Sequence, residues 1–299
     1  MSCPISRSAR SLAFVALVIL AGSCGDSSQT PVGPTPPPPP PPVAQTASIL
    51  AVGDIGQCDS PGVVQTARLV DGLAGELLLV GDIAYFSGTM SQFVQCFDPH
   101  WGTNRYRWRP VPGNHEYETP NAAGYFQYFG QAAGNGHYSF RAGPWLVLML
   151  DSNVSVNRGS PQYAFVQAEL AAHPTRCAMA VWHHPLFSSG PNGNTLGMRD
   201  LYTLLYQSGV DVLVAAHDHL YERFGKQDPE GRSDAVGIRQ FIVGTGGARL
   251  YDFARIAPNS QFRLSAHGAL RLTLNRDDYS WAFLDTTGAI ADSGTDSCH

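Results

Sequence analysis

Four apolar runs in this chain, at residues 49–52, 77–80, 178–182 and 210–216, each break off at a short polar block. Runs this short and this rich in branched aliphatic residues read as buried strands, and strands buried on both faces belong to sheets covered by helices. The blocks that end them are Gly53-Asp54-Ile55-Gly56, Gly81-Asp82-Ile83-Ala84-Tyr85, His183-His184-Pro185 and His217-Asp218-His219. A fifth, Gly113-Asn114-His115-Glu116, follows a loop-rich stretch. The polar residues therefore fall where strands end, the edge at which such sheets bind ligands.

Between these strands the pattern predicts helices near residues 61–75, 162–173 and 199–208, with two further strands at 138–140 and 146–150 turning at Gly143-Pro144. The last part is β-rich, with strands expected at 240–243, 269–274 and 279–284 and a hairpin turn at Asn275-Arg276-Asp277-Asp278. Strands alternating with helices first and antiparallel hairpins last point to an α/β class, a layered domain with mixed sheets. No linker divides residues 47–299, so one catalytic domain is expected there. Its composition, 43% hydrophobic and 14% charged, suits a sizeable core.

The N-terminus reads as a targeting segment over residues 1–23, with Arg7 and Arg10 ahead of an apolar run at 12–21 that is too short to span a bilayer. Ala21-Gly22-Ser23-Cys24 resembles a bacterial lipoprotein cleavage box, with an ordinary signal peptide as the alternative, so the expected location is a lipid-anchored or secreted one. Residues 24–46 are polar and then proline-rich, with an unbroken proline run at 36–42, and read as a semi-rigid tether. With Cys3 in the signal and Cys24 the lipid candidate, Cys58, Cys96, Cys177 and Cys298 remain. Four cysteines in an exported protein suggest two disulfides. The favoured pairing is Cys58 with Cys96, both in loops after early strands, and Cys177 with Cys298; a thiolate metal site is the competing use, although the spacings match no zinc pattern. Formal net charge is −5, and the signal segment contributes only positive charge, which argues against nucleic acid as the main partner.

Asp54, Asp82, Tyr85, Asn114, His183, His217 and His219 offer carboxylate, phenolate, amide and imidazole donors, the mixture that suits iron, zinc or manganese. A carboxylate such as Asp82 can bridge two cations, and a pair about 3.5–4 Å apart can clamp the attacking and leaving oxygens of an in-line displacement at phosphorus. A hydroxide made available near neutral pH by the metals would be the nucleophile. Each block alone is a weak sign, since Gly-Asp after a strand is a common turn and most lone histidines are hydrogen-bonded core or loop residues. His217-x-His219 is stronger, because alternate residues of an extended segment point the same way. Five blocks together read as a two-metal site.

In this order the blocks resemble the calcineurin-like metallophosphoesterases and, within them, the purple acid phosphatases. The marks are Gly-Asp-x-Gly at Asp54, Gly-Asp-x-x-Tyr at Asp82 and Tyr85, Gly-Asn-His-Glu at Asn114, His-x-Pro at His183 and His-x-His-x-Tyr-Glu-Arg from His217 to Arg223. Gly56, where broader relatives carry histidine, together with Tyr85, points to the subfamily. The resemblance implies a layered α-β-β-α sandwich of two mixed sheets flanked by helices. It further implies two metal ions: Fe(III) held by Asp54, Asp82, Tyr85 and His219, and divalent iron, zinc or manganese held by Asp82, Asn114, His183 and His217.

Hydrolysis of a small phosphomonoester is the implied activity; a phosphodiesterase using the same site and a non-catalytic surface binding protein are the alternatives. His115 resembles the histidine that contacts substrate phosphate and protonates the leaving group, with Glu116 either orienting it or merely solvated. Many relatives carry further histidines in the loop after His-x-Pro, where this chain has residues 186–194 without one, so His184 as a second catalytic group and Asn192 as a phosphate-binding group are the candidate substitutes. His100, Trp101, His137, His173 and His267 read as structural. The segment from Arg105 to Arg109 reads either as a basic pocket rim or as a solvated loop beside a buried Trp108.

Overall fold

Alternation along the first strand sets the layering. In a computed structural model, which describes residues 44–299, Ile49 and Ala51 of β1 (Ala47–Val52) face one hydrophobic core while Leu50 and Val52 face another, as the period of two in a strand demands. β2 (Glu76–Val80) and β3 (Trp108–Val111) lie parallel beside β1. On the other side of β1, antiparallel β11 (Gly268–Leu274), β12 (Asp278–Asp285) and β13 (Ile290–Ser297) complete a six-stranded sheet. The second sheet has seven strands, in the order β10-β8-β9-β7-β6-β5-β4. Its parallel centre is β5 (Trp145–Met149), β6 (Ala178–Val181), β7 (Val212–Ala215) and β9 (Ile238–Val243), and its antiparallel edges are β4 (Tyr138–Ala142), β8 (Tyr221–Gln227) and β10 (Ser260–Leu264).

The two sheets pack face to face through Ile49, Leu78, Val80, Val147, Met179, Val214 and Phe241, all fully buried. The Pro61–Asp71 helix covers the outer face of the first sheet with Val63, Ala67 and Val70. The Pro161–Ala172 and Arg199–Gln207 helices cover the second with Tyr163, Val166, Leu201 and Leu205. This is the α-β-β-α sandwich expected from the resemblance. Because β1, β2, β3, β6 and β7 all run the same way, the five blocks emerge at one common edge.

Four strands lay outside the sequence reading. β3 carries Arg109 and Pro110, which break its apolar pattern, and β13 (IADSGTDS) pairs with β12 alone and stays polar on its open side. β8 and β10 are likewise mixed in polarity and lie toward one edge. The segment at Arg105–Arg109 is not a pocket rim. It precedes and opens β3, at the end away from the blocks; Trp108 is buried, and the buried Arg107 donates to the carbonyls of Val70 (2.9 Å) and Leu73 (2.6 Å), closing the end of the first helix. Arg109 pairs with Glu76 at the start of β2. The signal segment, Cys24 and the proline run lie outside the described residues.

Both favoured disulfides are present. Cys58–Cys96 ties the loop after β1 to the segment before β3, and Cys177–Cys298 joins the start of β6 to the residue after β13, linking the two sheets. The second closes a sequence separation of 121 residues and lies at the end of β6 opposite His183. Replacing both Cys177 and Cys298 by serine should lower unfolding stability by about 2–5 kcal/mol, seen as a shifted urea midpoint, with the affinity of the site for metal unchanged; an unshifted midpoint would show that the bridge adds nothing to the sheet packing.

Candidate metal centre

Sharp backbone turns throw the candidate ligands across the sheet edge. Asp54, Asp82 and His217 take positive φ, 57°, 48° and 71°, in the left-handed region that costs a non-glycine residue about 1–2 kcal/mol. Each is the second residue past its strand. The loops after β1 and β2 stay laced together beyond the strands, through Asp54 N–H to Gly81 O (3.1 Å), Ile55 N–H to Asp82 O (2.9 Å) and Tyr85 N–H to Gly56 O (3.1 Å). Glycine at 81 and 113 follows from crowding. A Cβ at Gly81 would stand 2.5 Å from His183 Nδ1, and one at Gly113 would stand 2.1 Å from Asp82 Oδ1.

The side chains from both sheets meet around the two buried carboxylates. Tyr85 Oη donates to Asp54 Oδ1 at 2.8 Å, and it lies 3.1 Å from His219 Nε2 and 3.4 Å from Asp82 Oδ2. His219 Nε2 is 3.2 Å from Asp54 Oδ1. On the other side of Asp82, His183 Nε2 lies 3.1 Å from Oδ2 and 3.2 Å from Asn114 Oδ1. His217 packs edge-on against the His183 ring at 5.1 Å, and its backbone N–H donates to Asp54 Oδ2 at 2.9 Å. Asp54, Asp82 and His183 present ligand atoms within 4.8 Å of one another, and so do His183, His184 and His217.

This donor set fits metal ions on a point of proton chemistry. His183 Nδ1 lies 2.8 Å from the Val80 carbonyl and His219 Nδ1 lies 2.7 Å from the Arg249 carbonyl. A carbonyl only accepts, so both Nδ1 atoms carry hydrogen and both neutral Nε2 atoms turn a lone pair toward a carboxylate oxygen, which is repulsive unless a positive charge stands between them. A proton on Nε2 is the other way to relieve that repulsion. Burial opposes charging His183, but Asp82 beside it holds the imidazolium up at about 9, and Asp54 raises His219 in the same sense. Burial, then the charges of Asp54 and Asp82, hold the Tyr85 phenol protonated well above its usual range. A hard cation is the partner that would release that proton.

The other predicted residues divide. His115 sits at the mouth, its Nε2 3.8 Å from Asp82 Oδ2 and its Nδ1 donating to the Phe86 carbonyl at 2.6 Å. His184 is fixed on Ser152, whose hydroxyl lies 2.8 Å from Nδ1 and accepts the His184 backbone N–H at 3.0 Å. Burial, together with His183 and His217, pushes it down to about 2, so it stays neutral. Asn192 Nδ2 donates to the His217 carbonyl at 2.9 Å, which holds a ligand block.

Glu116 neither orients His115 nor meets solvent. It is fully buried and accepts backbone N–H bonds from Ile83 (2.8 Å), Ala84 (3.1 Å) and Gly113 (2.8 Å), stapling the Asp82–Tyr85 loop to the Asn114 turn. Asp218, also buried, takes the Ser188 hydroxyl and the Asn192 N–H and so holds the loop after His183. Neither role is readable in sequence, although both residues stand inside the polar blocks. Glu116→Gln leaves at least one of those N–H groups without an acceptor. It should cost about 1.5–3 kcal/mol in urea unfolding and lower the metal retained per chain after gel filtration; full stability with full metal content would refute the staple.

Residues 47–221 match the family model described as calcineurin-like phosphoesterase. Among curated relatives, purple acid phosphatase 21 of Arabidopsis thaliana is 30% identical over 260 residues, covering 77% of this chain and 58% of that protein. Purple acid phosphatase 22 of the same plant is 28% identical over 262 residues with the same two coverages. The chain thus spans somewhat over half the length of these relatives. Of solved structures, a purple acid phosphatase from yellow lupin (Lupinus luteus) seeds superposes with a TM-score of 0.73 at 21% identity, over 85% of this chain and 54% of that one. The Plasmodium protein GAP50, an anchor in the inner membrane complex, does so with a TM-score of 0.66 at 14% identity, over 86% and 90%. At such identities the structural likeness speaks for the fold, and it agrees with the family match. By sequence and architecture, the chain belongs to the calcineurin-like phosphoesterases, as a member like the purple acid phosphatases.

Proposed function

We propose that residues 47–299 form the catalytic domain of an exported phosphatase that hydrolyses phosphomonoesters at a dinuclear metal centre. One observation carries the reading: seven side chains of the right donor types, from five strand ends in two sheets, gather around the buried carboxylates Asp54 and Asp82. Asp54, Asp82, Tyr85 and His219 would hold Fe(III), favoured by the phenolate, and Asp82, Asn114, His183 and His217 a divalent iron, zinc or manganese, with Asp82 shared. Bound there, such a pair supplies an activated water near neutral pH and neutralises the phosphoryl oxygens.

The protein's own groups do the rest. Glu116 and the interlaced loops hold the ligands in place before substrate arrives, which lowers the reorganisation needed for reaction. His115, beside Asp82, would hand a proton to the departing alcohol; neutral His184, held by Ser152, would position its neighbours instead. Export agrees with two disulfides. Among the described residues no helix is long and apolar enough to cross a membrane; the attachment proposed from the Ala21-Gly22-Ser23-Cys24 motif is a lipid at Cys24. The described chain enters β1 at the end of the sheet opposite the ligand loops.

Metal analysis with visible spectra tests the assignment. About two metals per chain and a purple charge-transfer band, lost in Tyr85→Phe, are expected; a colourless protein with two zinc ions would remove the ferric assignment, and a metal-free protein that does not turn over p-nitrophenyl phosphate would remove the hydrolase. His115→Ala should lower kcat about 100-fold or more for glycerol 2-phosphate, whose alkoxide needs a proton, and far less for p-nitrophenyl phosphate, whose phenolate leaves unaided. Equal losses on both esters would exclude His115 as the acid.

A further inference from the structure

Beside the candidate metal centre lies a cavity of about 260 Å³ lined partly by ligand-block residues and partly by residues outside them. Tyr85, His115 and His219 form its floor; Phe86, Arg249 and Tyr251 form its sides. Each side is anchored to the reacting groups by backbone. The Phe86 carbonyl accepts from His115 Nδ1 (2.6 Å), the Arg249 carbonyl accepts from His219 Nδ1 (2.7 Å), and the Tyr251 N–H donates to the His219 carbonyl (2.9 Å). Gln57 Oε1 accepts the Arg249 N–H at 3.0 Å.

The side chains themselves are left for something else. Phe86 is 62% exposed, a large apolar ring in solvent one residue from a candidate ligand. Tyr251 lies flat on the His219 ring, 4.0 Å between centroids and 10° between planes, with its other face turned from that stack. Arg249 has no hydrogen-bond or ion-pair partner for its guanidinium among the described residues; Arg68, Arg141, Arg158, Arg271 and Arg276 share that state, but of these six only Arg249 lines this cavity. Two aromatic faces and a free planar cation around one space suit a flat, unsaturated group with an electron-rich or acceptor edge. A compact aliphatic alcohol would leave both rings wet and the guanidinium unmatched.

Resting on the phosphatase reading, we infer that Phe86, Arg249 and Tyr251 form the leaving-group subsite and select phosphate esters of planar alcohols. That chemistry has two sources, aryl phosphates and nucleotides, and the substrates below separate them. In the metal-loaded protein, Phe86→Ala and Arg249→Ala should each raise KM for phenyl phosphate, for 5′-adenosine monophosphate, or for both, by about 5–10-fold (about 1–1.4 kcal/mol) at unchanged kcat. KM for glycerol 2-phosphate should move less than about 2-fold. Comparing each variant with wild type on the same ester cancels the leaving group's own reactivity, and the planar ester that responds names the source.

Calorimetry supplies a reading without turnover: wild type should bind phenylphosphonate more tightly than methylphosphonate, and Phe86→Ala should close the gap. Equal shifts on all three esters, or phenylphosphonate binding no tighter than methylphosphonate, would overturn the subsite. A protein that hydrolyses none of the esters yet keeps the Phe86-dependent preference would sink the phosphatase reading and leave the subsite standing.

Discussion

Two fully buried carboxylates, Asp54 and Asp82, are the constraint on which the rest of this structure turns. A carboxylate taken out of water without compensation costs several kcal/mol, and here the compensation comes from across the molecule. His183 and the backbone of His217 arrive from the second sheet, His219 from the strand-to-strand turn beyond it, and the His115 N–H from the turn after β3. None of these partners is local in sequence. The two sheets must be packed in register before the charges can be held, so the hydrophobic sandwich is a precondition of the site rather than a scaffold added to it.

The same dependence explains where strain is stored. Three left-handed residues, Asp54, Asp82 and His217, lie at the ends of fully buried strands, where the core can hold a turn that a free loop would relax. Around them the molecule uses buried acidic staples. Glu116 and Asp218, both buried, take backbone N–H groups from the very loops that present the ligands. Hydrogen bonds to an ionised carboxylate are shorter and stronger than neutral ones, and these tie the ligand loops to one another. The Cys177–Cys298 bridge works at the opposite pole, whereas Cys58–Cys96 fastens the loop that follows Asp54.

Legibility in the sequence tracked the reach of the interaction. The strands bearing Asp54, Asp82, His183 and His217 were readable because burial on both faces writes itself as an apolar run. β3 and β13 were not, since an edge or near-edge strand tolerates Arg109, Pro110 or a row of serine and aspartate. Within the blocks the donor types were readable, and so was their order. The partners of Glu116, the grip of Ser152 on His184 and the turn of the Asn192 amide to the His217 carbonyl were not, because each depends on which loop lies opposite.

What the sequence by itself determined is therefore local: which residues end strands, which of them can bind a metal, and which cysteines follow neighbouring strands. Tertiary structure alone decided that Glu116 is a buried staple, that Arg107 caps a helix far from the site, and that Phe86, Arg249 and Tyr251 share one cavity with His115 and His219. The physical reason is common to all three. A periodic pattern reports only how a residue faces its own strand or helix, whereas hydrogen bonds and cavities are made between segments brought together by the packing of two sheets, and no residue carries that arrangement in its own neighbourhood.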